Sequence, residues 1–281
     1  MHTNKQIWKR LLLYIVLSNS LSLYSINYSP IVGARSAGMS HCSVGLKDYW
    51  SVFNNPAMMT FYDKMSVGLF YDNRFLLKET STSCLGFLLP VEKAGVFGVH
   101  VLHFGHLNYG ELNAGISYAK CFANVFAFGL RFDYLLNYFG DAAYGKCSGF
   151  TFEIGMYAQV TKSVGIGFHV FNPAHLAMST YNDTKEYIPT ILRLGCSYEI
   201  SKKCMLLVDV EKDMDMKTLC RLGVEYTIVN DVYLRGGLSF PDFEFALGVG
   251  WKSKLFSIDV ASTYHTVLGY SPQLSMILNL K

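Results

Sequence analysis

Charged residues and proline are both scarce in this chain of 281 residues. Only 16% of the residues are Asp, Glu, Lys or Arg, against roughly 25% in a typical soluble domain. There are 7 prolines, whereas hydrophobic residues make up 51% of the chain and aromatic residues 15%. This composition is unusual for a soluble enzyme and is typical of a β-protein that faces a membrane.

Long apolar runs are also missing. Beyond the N-terminus, no run reaches the ~20 residues that a transmembrane helix needs. In lipid, every backbone polar group must be satisfied within the protein, and a β-structure achieves this only by closing on itself. If the chain lives in a membrane, it must therefore be a closed β-barrel.

Recognisable catalytic and metal-binding motifs are absent. The sequence contains no GxSxG, HExxH, phosphate-binding loop or dinucleotide fingerprint. The seven cysteines include no CxxC pair, so zinc-site spacing is missing, and only Cys196 and Cys204 are placed to pair across a hairpin. His100 and His103 fall on opposite faces of a strand, which argues against a shared metal ion. We expect no enzyme, no catalytic residue, no cofactor and no bound metal.

The N-terminus has the pattern of a secretory signal peptide, which we assign to residues 1–25. Lys5, Lys9 and Arg10 precede the apolar run Leu11–Leu17, and small polar residues follow. Its removal takes away three of the 24 basic residues and none of the 21 acidic ones. The remaining chain has no net charge, so we expect no nucleic-acid partner.

Alternation along "FAFGLRFDY", Phe126 to Tyr134, places two kinds of residue on two faces of a strand. Side chains in a strand point alternately to opposite sides. The even-numbered positions are aromatic or aliphatic, whereas Arg131 and Asp133 share the other face with small residues. The charges therefore belong to a second, polar surface.

The same pattern recurs and predicts a transmembrane antiparallel β-barrel of about 14 strands, each close to the length that crosses a bilayer. The predicted strands are 64–73, 81–89, 95–104, 111–119, 125–137, 149–161, 164–171, 189–200, 204–212, 217–229, 232–239, 243–252, 255–264 and 273–280. Tight turns alternate with longer links, as in outer-membrane barrels, where the short turns face the periplasm. An even strand number places both termini on that side.

A soluble β-sandwich is the alternative, since it also alternates apolar and polar residues. The predicted strands exceed the usual five or six residues. Glycine on the polar face weakens an exposed strand but leaves room inside a lumen. The barrel is therefore the favoured prediction.

Charged residues of both signs lie on the predicted inner face. Mixed signs suit pairing in a confined space, which would stabilise a plugged lumen. Alternatively, the charges guide a polar solute, as in a pore. We favour the pairing hypothesis for the predicted lumen charge network of Arg131, Asp133, Glu153, Arg193, Glu199, Arg221, Glu225 and Arg235.

Residues 26–62 break the strand pattern and are rich in Gly, Ala and Ser. We expect a short helix near Leu46–Val52 and a helical turn from Pro56 with Asn55 as N-cap. The segment precedes the first strand and is long enough to fold into the barrel. Space for it would come from the inward-facing glycines Gly98, Gly115, Gly129, Gly155, Gly195, Gly223 and Gly248.

The stretch "GARSAGMSHCSVGLKDYWSVFNNPAMM" resembles the N-terminal motif of the FadL-like outer-membrane proteins, particularly their PorV/PorQ branch in Bacteroidota. The pattern departs from that motif at His41 and Cys42. The resemblance implies a hatch, residues 26–62, inside a 14-stranded barrel, residues 63–281. The residues that match this hatch motif are Gly33, Ala34, Arg35, Gly38, Met39, Asn55, Pro56 and Ala57.

Two functions follow from the resemblance. In FadL-like fashion, the barrel would bind and pass hydrophobic small molecules. In PorV/PorQ-like fashion, it would be an accessory barrel of type IX protein secretion that docks other proteins. The expected partners are outer-membrane lipids together with either a hydrophobic ligand or secretion-system proteins, and a plugged lumen disfavours a small-solute porin. The expected location is the outer membrane.

Overall fold

The computed structural model describes residues 29–140, 145–179, 185–214 and 216–280. The predicted signal peptide, residues 1–25, lies outside them. Within these ranges, no helix has both the length and the apolar character needed to cross a membrane.

Sixteen strands form one sheet, and fourteen of them close into a ring. β1 pairs with β16, β5 with β6 and β7 with β10, and all neighbours are antiparallel. β8 and β9 form a short hairpin beside β6. The predicted fourteen-stranded barrel is therefore confirmed. The strands are β1 (Ser66–Asn73), β2 (Ser81–Val91), β3 (Gly95–His106), β4 (Tyr109–Phe122), β5 (Phe126–Phe139), β6 (Lys146–Gln159), β7 (Val164–Phe171), β8 (Ala177–Ser179), β9 (Lys185–Tyr187), β10 (Ile191–Ser201), β11 (Cys204–Asp213), β12 (Leu219–Val229), β13 (Val232–Phe240), β14 (Glu244–Lys252), β15 (Phe256–His265) and β16 (Gly269–Asn279).

Burial alternates along the strands as the sequence predicts. In β5, Arg131 and Asp133 are 2% and 1% exposed, whereas Phe132 between them is 58% exposed. Leu247 in β14 and Ile116 in β4 are each 62% exposed on the same outer surface. The barrel thus has an apolar exterior suited to lipid and a polar interior, the arrangement of a membrane-spanning barrel.

The two ends of the barrel differ in the length of their connections. At one end, six tight turns join the strands, for example 92–94 between β2 and β3 and 202–203 between β10 and β11. The pairing of Ser66 with Asn279 places the start of β1 and the end of β16 at this end. We call it the short-turn end and the opposite one the long-loop end.

Two parts of the sheet differ from the sequence prediction. β16 begins at Gly269, not at 273, because residues 269–272 pair only with β15. Pro272 has no N–H to donate, and this costs no hydrogen bond to β1, because β1 does not pair with residues 269–272. The β8–β9 hairpin was not predicted, since strands of three residues carry too little periodicity to read.

The residues before β1 contain only short helices. α1 spans Ala34–Ala37, α2 spans Ser51–Asn54, and a 3-10 helix spans Pro56–Phe61. The expected helix at Leu46–Val52 is wrong, since α2 begins only at Ser51. The expected cap is confirmed, since the Asn55 side chain accepts from the Ala57 amide at 3.2 Å.

Candidate functional site: the lumen and the N-terminal segment

The N-terminal segment, residues 29–62, is packed against the inward faces of strands from all around the ring. Side chains or backbone of this segment touch inward-facing glycines of β1, β6, β7 and β14. A Cβ added at Gly38 would lie 3.0 Å from the Cα of Gly248 in β14. Glycine at both positions permits this approach of two backbones. Six of the seven predicted space-giving glycines, all except Gly115, thus lie against the segment.

The first half of the sequence motif is built around a tight turn and a small helix. Gly33 has φ +110°, and a Cβ there would lie 2.6 Å from the ring of Trp50, so both conformation and space require glycine. Met39 is fully buried and packs with Cys42, Leu46 and Leu207 of β11. These motif residues therefore shape the segment and join it to the barrel wall.

Arg35 is the charged member of the motif and reaches the wall directly. Its Nε and Nη2 bind the two carboxylate oxygens of Glu225 in β12 at 2.8 and 2.6 Å. Its Nη1 donates to the carbonyl of Lys47 at 3.0 Å and lies 3.7 Å from Asp48. Such a two-point arginine–carboxylate contact fixes orientation as well as distance.

The second half of the motif rests on the opposite part of the ring. The Asn55 Nδ2 donates to the carbonyl of Val44 at 2.8 Å, which ties two parts of the segment together. A Cβ at Gly129 in β5 would lie 2.5 Å from the Ala57 amide nitrogen. Pro56 and Ala57 are therefore seated on a glycine-lined part of the wall.

Arg131 is the centre of a buried ionic cluster on β3, β5, β6 and β7. Its guanidinium contacts Glu153 and Asp133, and it donates to the carbonyls of Val52 and Phe53 in the N-terminal segment. His169 Nε2 lies 2.6 Å from Glu153, and His100 Nε2 lies 3.2 Å from Asp133. The two histidines were not foreseen as members, although both lie on the polar face of their strands. The cluster joins four strands to the end of α2.

Two further groups of ion pairs continue around the ring. Arg193 and Arg221 both bind Glu211, at 2.6 and 3.1 Å, and Arg193 also donates to the carbonyl of Ser29 at 2.6 Å. Asp209, fully buried beside them, accepts from the backbone amides of Ser43 and Val44 at 2.7 and 3.0 Å. This carboxylate holds a turn of the N-terminal segment without any cationic partner in that turn.

Arg235 completes the network on β13. It binds Glu225 and Asp259, each at 2.7 Å, so Glu225 is shared between Arg235 and Arg35. Glu199 does not belong to the network: it is exposed at the end of β10, where the strand register shifts between Glu199 and Ser201. The strand keeps its register up to Glu199, which pairs with Met205, so the prediction failed because this position lies open to solvent near the short-turn end, and not because the alternation is lost.

A polar cavity of about 70 Å³ opens beside Arg35 near the short-turn end. Its lining includes Asp48, Tyr62, Glu225 and Asp259. Asp48 is 8% exposed, and burial raises the pKa of its carboxyl, an effect that the nearby Arg35 partly offsets. Burial also raises the pKa of Tyr62 to about 12.

An apolar cluster lies in the lumen at the long-loop end. Inward-facing residues of β5, β6, β7 and β10 meet two residues of the connection between β7 and β10, which folds inward over them. Met178 of that connection lies against the inward-facing Gly149. We call this set the outer apolar cluster; its members are Leu135, Cys147, Phe171, Met178, Ile188 and Ile191.

The structure pairs neither Cys196 with Cys204 nor His100 with His103. None of the seven cysteines, each within the described ranges, forms a disulfide. Cys196 faces Val208 across the hairpin and Cys204 faces Ser201, so register prevents their pairing. His100 is buried in the Arg131 cluster, while His103 bonds the Tyr138 hydroxyl at 2.7 Å. Over the described residues, no group of His, Cys, Asp and Glu is arranged to hold a metal ion.

Comparison with known proteins finds similarity in structure alone. No family model matches the sequence, and no curated protein is significantly similar to it. A Pseudomonas aeruginosa FadL homologue is 12% identical over 90% of this chain and 99% of its own, with a TM-score of 0.68. The Ralstonia pickettii toluene transporter TbuX is 12% identical over 90% and 98%, with a TM-score of 0.66. For the CymD monoaromatic hydrocarbon channel the identity is 12% over 89% and 97%, with a TM-score of 0.65. The expected FadL-like fold is thereby confirmed.

Proposed function

We propose that this chain is an outer-membrane channel that binds and passes hydrophobic small molecules. The similar structures are those of a FadL homologue, a toluene transporter and a monoaromatic hydrocarbon channel. Each is matched over almost its entire length, so the likeness extends beyond a few shared strands. The apolar exterior of the barrel fits the same placement in a membrane.

The observation that carries the proposal is the outer apolar cluster. Unlike the other apolar clusters of the lumen, which all include residues of the N-terminal segment, this cluster is formed by the barrel wall and one connection alone, at the long-loop end. Its six residues are buried against one another, so an apolar molecule that arrives from that end and displaces part of the cluster exchanges water for apolar contacts. Met178 belongs to β8, a strand of three residues that pairs with β6 at a single position, so it can move aside more readily than residues of the barrel strands.

We further propose the domain order that the sequence suggests, with a signal peptide, then a hatch, then the barrel. The N-terminal segment would be the hatch, held by Arg35, by Arg131 and by Asp209. In this proposal the lumen charge network stabilises the closed state, and passage requires part of the segment to move. Both ends of the chain would face the periplasm, at the short-turn end.

The test is uptake by cells that carry the chain in an outer membrane lacking their own FadL-type transporter. Radiolabelled toluene and a long-chain fatty acid would be supplied separately. We expect saturable uptake of at least one of them above the level of cells with an empty vector. Met178→Asp places a charge in the outer apolar cluster and should reduce uptake severalfold. Met216→Asp is the matched control, because Met216 is 56% exposed on another loop at the same end.

Uptake equal to the empty vector, with folded barrel present, would refute the transport proposal. The PorV/PorQ-like alternative, in which the barrel docks other proteins for type IX secretion, is not favoured by the similar structures. It would replace transport if the gently extracted barrel carried a stoichiometric protein partner and no small apolar molecule, as native mass spectrometry would show.

A further inference from the structure

Charge is distributed unequally between the two ends of the barrel. The six short turns contain five lysines and two acidic residues, Glu92 and Asp231. The connections at the long-loop end contain four basic residues and six acidic ones. The two ends thus have opposite net charge, although the mature chain as a whole is neutral. The turn lysines are Lys93, Lys162, Lys202, Lys203 and Lys254.

Lysine is spread around the circumference of the short-turn end. Lys120, outward-facing near the end of β4, brings a cation to a fifth turn, and only the turn between β12 and β13 lacks one. Lys64 precedes β1, and its Nζ lies 3.3 Å from the carbonyl of Lys254. Glu199 and Asp63 are further exposed acids beside these lysines, so the cations still outnumber the acids. We call these seven lysines the lysine rim.

The lysine rim begins where the apolar exterior ends. Tyr118, Ile200 and Trp251 are 39%, 54% and 45% exposed, and each lies two or three residues from a rim lysine. At ~3.3 Å per residue, the change from apolar to cationic surface takes place within about 10 Å. In a bilayer, this is the step from the hydrocarbon boundary to the level of the headgroup phosphates.

We propose that the lysine rim binds the phosphates of anionic phospholipids in the leaflet at the short-turn end. A ring suits lipid better than a single protein partner, because lipids surround every turn whereas a docked protein covers one sector. Lysine also suits this role, since its apolar stem lies along the barrel while the ammonium extends to the phosphate. The inference rests on the membrane placement in the proposed function and is independent of transport.

Trp251 is a reporter at the right place. It faces outward beside the turn that holds Lys254, whereas Trp50 is fully buried inside the barrel. Lipids brominated on their acyl chains quench the outward-facing Trp251 and not the shielded Trp50, and Trp8, the third tryptophan, belongs to the predicted signal peptide that the mature chain lacks. The barrel would be placed in mixtures of brominated phosphatidylglycerol and unbrominated phosphatidylcholine, then in the reverse mixture. The two quenching curves give the preference of this site for the anionic lipid.

We expect a preference for phosphatidylglycerol at low ionic strength that declines in 1 M salt. Lys64→Gln with Lys254→Gln should reduce it by about fivefold for each lysine that contacts a phosphate. Lys78→Gln with Lys217→Gln is the matched control, because it removes the same charge from the long-loop end and should leave the preference unchanged.

Three results would overturn the proposal. The parent protein could show no preference, both double variants could lose it equally, or the rim could instead retain a soluble acidic protein while remaining indifferent to lipid charge. A failure of the membrane placement itself looks different. Trp251 would then escape quenching by brominated phosphatidylcholine as well, whereas quenching without preference refutes the lysine rim alone.

Discussion

Arg131→Ala tests whether the lumen charges hold the closed barrel together. Arg131 is 2% exposed and lies between two carboxylates, Asp133 and Glu153, of which neither is more than 1% exposed. It also donates to two backbone carbonyls at the end of α2. Its removal leaves two buried carboxylates without their shared cation and two carbonyls without their donor.

The expected loss of stability is large. Breaking a buried ion pair by deleting one partner costs about 3–5 kcal/mol, and an unsatisfied buried carbonyl adds on the order of 1 kcal/mol. We therefore expect Arg131→Ala to lower the free energy of unfolding by about 5 kcal/mol. For a chain of this size, that corresponds to a decrease in Tm of roughly 10–20 °C.

The assay is the gel mobility of unboiled samples after heating to successive temperatures, since a folded barrel migrates faster than the unfolded chain. Arg74→Ala is the comparison, because the Arg74 side chain is 33% exposed and solvent screens its ion pair with Asp72, at 3.3 Å, so the loss of stability should be smaller. A second comparison removes all three charges with Arg131→Met, Asp133→Asn and Glu153→Gln. The triple variant should be more stable than Arg131→Ala, because no unpaired charge remains buried. Equal shifts for the two arginine variants, or a triple variant less stable than the single one, would refute this reasoning.

Three further outcomes follow from the N-terminal segment. Gly129→Ala should lower Tm, because the added Cβ would lie 2.5 Å from backbone of the segment, whereas Gly236→Ala has no neighbour nearer than 4.0 Å and should leave Tm unchanged. Burial raises the pKa of Asp48, so this carboxyl should cost stability as the pH rises above about 3.9, and Asp48→Asn should flatten the change in Tm between pH 4 and 7; an unaltered profile would contradict this. In hydrogen exchange, the amides of Ser43 and Val44 should exchange more slowly than those of α1, and the reverse order would show that Asp209 does not anchor them.

The barrel could be predicted from the sequence because its signal is local. In Phe126–Tyr134, period-two alternation alone assigns each residue to the inner or outer face, and fourteen such stretches leave little choice of architecture. Strand ends were less certain where one neighbour was missing. The proline at position 272 suggested a later start for the last strand, because the sequence does not show that only β15 pairs there.

The site was only partly readable, because its contacts join distant parts of the chain. Arg35 and Glu225 are 190 residues apart, and the sequence around either residue does not identify the other as its partner. Alternation placed Arg131 and Glu153 correctly on the inner face, but it does not show how deep in the lumen a residue lies, and Glu199, although in register, is exposed near the short-turn end.

The carboxylates of the lumen depend on the N-terminal segment to different degrees. If α1 moved away, Glu225 would lose Arg35 but would keep Arg235 at 2.7 Å, so its charge would remain compensated. If the turn at Ser43 moved, Asp209 would lose both of its backbone donors at once while buried. Arg193 and Arg221 lie near Asp209, but a buried carboxylate that loses its hydrogen-bond donors still costs more than one that keeps a bound guanidinium. The proposed hatch should therefore open from the α1 side first.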